Sequence, residues 1–132
     1  MLTSIRRKLL WLVVLAVGGG LARPASGYVD YAPTHGQLIK DSNISLCFAG
    51  HDHNMQHLRV EGYNTSFVVS GAGGASLYEI KRTERGFTDE KHLGFNYIHV
   101  TSKETNVQFI NTKGDCLHHF QRTPAGDVKV LS

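Results

Sequence analysis

The feature that most constrains this chain is the run from Ile44 to Ala49, which stops at Gly50 and opens into His51-Asp52-His53. A short apolar run that ends at a glycine reads as a strand buried on both faces. The loop it feeds carries a His-x-His pair, and imidazole is the common protein ligand for Zn, Fe, Mn and Cu. Two imidazoles rarely hold a catalytic metal alone. The position of any further ligands therefore decides what the loop does.

The 132 residues suffice for one domain, with enough apolar side chains for a packed core. The formal charge of +3 misleads. Four of the 14 Lys and Arg (Arg6, Arg7, Lys8 and Arg23) lie within residues 1–27, which contain no Asp or Glu. That leaves 10 basic against 11 acidic residues from Tyr28 onward, or −1. Clustered positive charge is what a nucleic-acid surface needs, so no nucleic-acid partner is expected.

Residues 1–27 read as a signal peptide. Arg6-Arg7-Lys8 make a positive n-region, Leu9 to Val17 an apolar h-region, and Ala22 and Ala25-Ser26-Gly27 the small residues of a cleavage site. The apolar run falls short of the roughly 20 residues of a bilayer span, so no stable membrane span is expected after cleavage. The remainder, residues 28–132, is then a domain of the secretory pathway, secreted or lysosomal. Two glycosylation sequons agree with export, at Asn43-Ile44-Ser45 and Asn64-Thr65-Ser66. Asn64 sits in a polar stretch that suits an exposed turn. Cys47 and Cys116 allow one disulfide in an oxidising compartment. The setting Leu46-Cys47-Phe48 equally suits a free cysteine packed as a small hydrophobe.

The rest of the chain reads as mostly β. Gln37 to Asp41 is a marginal helix, His51 to Gln56 a polar loop, Leu58 to Val60 a short strand and Ser66 to Ser70 a β-branched strand. Leu77 to Lys91 is charged and irregular, which suggests a surface excursion. Leu93–Thr101, Asn106–Asn111 and Cys116–Gln121 form an antiparallel meander with short turns. Gly71-Ala72-Gly73-Gly74 lacks the Lys-Ser/Thr and the spacing of a phosphate cradle. A close backbone passage against another element is the better reading.

Among the histidines, His118 and His119 fall on opposite faces of a strand and cannot share one ion. Together with His92 and His99 they read as ordinary surface or satisfied histidines. His51, His53 and His57 stand apart by their density.

Leu46-Cys47-Phe48-Ala49-Gly50-His51-Asp52-His53-Asn54-Met55-Gln56 resembles the last metal-binding motif of the purple, tartrate-resistant acid phosphatases, within the calcineurin-like metallophosphoesterases. In the same order, Ala32-Pro33-Thr34-His35, Val68-Val69-Ser70-Gly71-Ala72-Gly73 and Gly94-Phe95-Asn96-Tyr97-Ile98-His99-Val100 resemble further family segments. The ordered set runs from about Tyr31 to Phe120. The resemblance implies an α+β, mostly β fold: the C-terminal part of a metallophosphoesterase β-sandwich with flanking helices, incomplete in this chain.

It also implies metal ligands at His51, for a divalent ion, and His53, for a ferric ion. The family's cofactor is Fe with a second divalent metal (Fe, Zn or Mn), and its substrates are phosphate monoesters. The family's remaining ligands are two Asp, a Tyr, an Asn and a His on motifs that do not occur in this sequence. Its active-site His would fall near Asp30-Tyr31, where there is none. No catalytic residue is assigned, stable metal binding is not expected of this chain, and the strand Ile44 to Ala49 is expected to lack neighbours. Two functions are thus anticipated: a purple acid phosphatase-like chain inactive as written, or a secreted non-catalytic β-rich binding domain.

Overall fold

The computed structural model describes residues 12–15, 39–42, 44–80 and 86–132. Two sheets carry nearly all of the regular structure. The first is mixed, with strands β1 (Leu12–Leu15), β2 (Leu46–Ala49), β3 (Met55–Arg59), β4 (Ser66–Ser70) and β5 (Gly86–Asp89) in the order β1-β2-β4-β3-β5. The second is an antiparallel meander of β6 (Gly94–Val100), β7 (Thr105–Asn111), β8 (Cys116–Arg122) and β9 (Val128–Val130), in sequence order.

The order of the mixed sheet positions the His-x-His loop. β2 and β4 are parallel neighbours, while β3 lies beyond β4 and runs antiparallel to it. The chain therefore leaves the carboxyl end of β2, crosses over the carboxyl end of β4, and descends as β3. Residues 50–54 are that crossing. Gly71, the first residue after β4, emerges directly beneath it. A Cβ on Gly71 would lie 1.7 Å from the Asp52 carbonyl oxygen, so only glycine fits. This is the close passage anticipated for the Gly-rich stretch.

Both faces of the mixed sheet are covered. Leu46, Phe48, Met55, Val68 and Ala72 pack against Val107, Phe109 and Phe120 of the meander. On the other face, Cys47 and Phe67 pack with Ile39 and Ile44. Complete burial of β2 follows, as its unbroken apolar pattern requires. The meander is one-sided instead. β7 alternates strictly, with Thr105, Val107, Phe109 and Asn111 inward, and β6 leaves Phe95 and Tyr97 exposed.

Several expectations need correction. β2 is paired on both edges rather than short of neighbours, because β1 lies parallel to it in the register Leu12↔Leu46 through Leu15↔Ala49. β1 falls within the segment read as a leader. β3 starts at Met55, inside the stretch read as loop, because Met55 and His57 face the core. The excursion from Leu77 contains β5, which pairs with β3. β9 follows β8, and its three residues were too short to register in the pattern. Of the flanking helices, the described residues include only the turn at 39–41. Cys47 is buried in the mixed sheet and Cys116 exposed in the meander, and no disulfide joins them.

Candidate metal-ligand loop

The crossing is pinned by backbone bonds more than by its own sequence. Asn54 N donates to Asp52 O at 2.8 Å, Gly71 N to Asn54 O at 3.0 Å, and Tyr78 N to His53 O at 2.9 Å. Buried Gln56 donates from Nε2 to Oδ1 of buried Asn54 at 2.8 Å. The loop is thus tied to the segment that leaves β4.

This frame orients His53. Its Nδ1 lies 2.8 Å from the Ser76 carbonyl oxygen, and its ring stacks on Tyr78 at 4.2 Å and 16°. A carbonyl only accepts, so Nδ1 carries a proton, and in the neutral ring the lone pair is then on Nε2. That is the tautomer, and the kind of outer contact, that a metal-binding imidazole uses. His51 is exposed and has φ 78, which makes it the non-glycine residue in the left-handed region among the described residues. Such a conformation places the His51 side chain outside the path of the strand it follows.

These two imidazoles suit a metal as individual donors. They do not amount to a dinuclear centre. Among the described residues, no three or more His, Cys, Asp or Glu side chains gather where one ion could bind. Asp52 is half-buried in the same loop, with its carbonyl engaged by Asn54.

His57 takes no part in the loop, despite its closeness in sequence. It lies inward on β3, 2% exposed, with Nδ1 3.0 Å from Nε2 of His118 on β8. His118 is also buried, and of the two readings, surface or satisfied, it is the satisfied one. Burial pushes His57 down to about 3, assisted by His118, Arg59 and Arg122. His118 is lowered as well, mainly by burial. The signal available in the sequence was face-sharing: on a strand, His118 must lie on the side of Phe120. His92 is exposed and bound to Asp89, and His99 is exposed on β6.

Of the two sequons, Asn43 lies outside the described residues, and Asn64 is exposed as expected. Arg122, 4% exposed, reaches across from the meander to the Asn64 carbonyl and side-chain oxygens and to Ser66 Oγ. Among the described residues, no helix is long and apolar enough to cross a membrane.

No protein-family model matches the chain. Individual proteins do. Tartrate-resistant acid phosphatase type 5 of Sus scrofa is 31% identical over 109 residues, covering 71% of this chain and 32% of that protein. The Homo sapiens protein of the same name is 28% identical over 109 residues, with 71% and 33% covered. Purple acid phosphatase 3 of Arabidopsis thaliana is 29% identical over 91 residues, with 65% and 25% covered. The chain therefore spans about a third or less of the length of these relatives. Among solved structures, the one described as GAP50, the anchor in the inner membrane complex of Plasmodium, shares the fold at a TM-score of 0.59. It is 20% identical, and the match covers 72% of this chain and 31% of that one.

Proposed function

We propose, from the premise that this chain is a relative of the purple acid phosphatases matching their C-terminal part, that its crossing loop is the imidazole-bearing edge of a phosphate-monoester-hydrolysing metal centre. His53 is a ligand through Nε2 and His51 a ligand from the exposed turn. The metals are those of the family, Fe with a second divalent ion. When bound, such a pair clamps phosphate and acidifies a water. The observation that carries the reading is the orientation of His53: Nδ1 held by Ser76 and the ring against Tyr78, so that Nε2 is the nitrogen outside that bond.

This chain alone turns over no substrate above background. Two imidazoles leave each ion a single protein ligand, which fixes neither geometry nor affinity. Hydrolysis of p-nitrophenyl phosphate at acidic pH, with iron and zinc added, is expected to equal that of the His51→Ala/His53→Ala variant. Metal-dependent turnover that vanishes in the variant would overturn the inactivity. The ligand role has its own test: zinc titrated into the labelled protein should shift the His51 and His53 ring resonances together. Unmoved resonances would overturn that role.

The chain is also proposed to enter the secretory pathway, with residues 1–27 as its leader and Asn43 and Asn64 as glycan acceptors. Terminal sequencing of secreted material should place the new N-terminus between Arg23 and Tyr28. Treatment with an endoglycosidase should lower the mass of that material.

A further inference from the structure

A polar contact joins the two sheets at the centre of an aromatic seam, apart from the Arg122–Ser66 bond at its edge. His57 of β3 and His118 of β8 are 3.0 Å apart, Nδ1 to Nε2. Each ring is stacked on a phenylalanine: His57 on Phe120 at 3.7 Å and 13°, His118 on Phe87 at 4.5 Å and 7°. Phe120 and Phe87 belong to different sheets, so each histidine stacks on a residue of the sheet opposite its own. One hydrogen bond between two imidazoles needs one proton in the gap and a lone pair facing it. The remaining His57 nitrogen, Nε2, is buried without a partner. A lone pair is tolerable there, whereas a stranded N–H costs more. The arrangement thus requires His57 protonated at Nδ1 and donating, and His118 accepting at Nε2.

We propose that this pair is an acid-sensitive latch between the two sheets. A second proton has only one free nitrogen on His57 to occupy, Nε2, which faces no acceptor. The charges around it are unfavourable. Arg59 on the same strand and Arg122 on β8 both oppose a cation at His57. His119 opposes one at His118, while the Ser132 backbone favours one there. β5 contributes Phe87, and its Asp89 is engaged by His92. β7 contributes Phe109, which carries no charge. Protonation of both rings sets N–H against N–H and breaks the bond. Acid therefore favours states in which the sheets have parted and both histidines reach water. The stabilisation is complete above the ordinary histidine range and is lost as pH falls from about 6.5 toward 3.

The test compares the full-length wild type with His57→Phe/His118→Phe, which keeps the stacks and removes the proton. Near-UV circular dichroism followed from pH 7.5 to 4 should show the acid transition of the double variant lower by about one pH unit or more. Superimposable transitions would overturn the latch. Nitrogen-15 spectra of the wild-type imidazoles read the same point without any variant. Two rings that stay neutral until the protein unfolds, with His57 protonated at Nδ1, support the latch. Either ring titrating reversibly near 6.5 in the folded protein overturns it.

Discussion

The two sheets solve the same packing problem in opposite ways. The meander is local. β6, β7 and β8 run seven residues each, are joined by short turns, and bury one face. The mixed sheet is non-local. Its strands are four or five residues long, and its neighbours come from distant parts of the sequence, as β1 with β2 and β3 with β5. Local pairing closes small loops and is cheap in chain entropy, whereas the mixed sheet needs long closures and both faces covered. The candidate ligands sit on the second kind of structure, at a crossing that exists because β4 separates β2 from β3. The proposed ligands are thus placed where the fold depends most on distant contacts.

The strongest test is whether the two regions share one core. Phe109 is fully buried at the seam and touches Phe87 and His118 edge-on or tilted. Phe109→Ala should cost about 3–5 kcal/mol in denaturant melts. If the seam is common, hydrogen exchange should accelerate in β2 as well as in β7. Acceleration confined to β7 would mean that the meander stands alone.

Gly71 separates the regions more finely. Gly71→Ala forces a methyl against the Asp52 carbonyl and should cost about 1–3 kcal/mol. The damage should be registered in the crossing, as a shift of the His53 ring resonances, with the meander resonances unmoved. A matching shift in the meander would show that the loop and the second sheet are mechanically coupled.

The proposed leader offers a third comparison. Cleavage after the leader would remove β1 and open one edge of β2. Protein beginning at Tyr28 should exchange the Leu46–Ala49 amides about tenfold faster than the full chain, or roughly 1.4 kcal/mol of local opening. Amides of β7 should exchange unchanged. Equal protection of β2 in both forms would mean that β1 adds nothing to the ladder.

How much of this was legible depends on range. The meander could be read because period-two alternation is local: Val107 and Phe109 against Gln108 and Ile110 need no knowledge of partners. β4 could be read from its β-branched residues. β5 and β1 could not, since each exists only as an edge for a strand far away in sequence. In the candidate site, the pairing of His51 and His53 in one loop was legible from spacing, and their ligand role is what the resemblance implies. The orientation of His53 was not, because Ser76 and Tyr78 come from the segment after the Gly-rich stretch. The His57–His118 contact joins residues whose meeting depends on how the sheets stack, and no local pattern states that.

The smallest expected effect is also the most specific to the site. His51 holds φ 78. A side chain in that region strains the backbone, and glycine does not. Glycine would suit the turn better for folding alone, which is consistent with the proposed ligand role of His51. His51→Gly should therefore raise stability by about 0.5–1 kcal/mol, whereas His51→Ala, which keeps the Cβ, should leave it within about 0.5 kcal/mol. Urea melts of the two variants decide the matter. If glycine gives no gain over alanine, the turn is not strained, and the argument that His51 is retained for ligation loses its support. A comparable conformational cost has no counterpart in the meander, where positive φ falls on Gly114 and Gly126. That contrast, a strained histidine on one sheet against relaxed glycines on the other, separates the region carrying the proposed ligands from one shaped by packing.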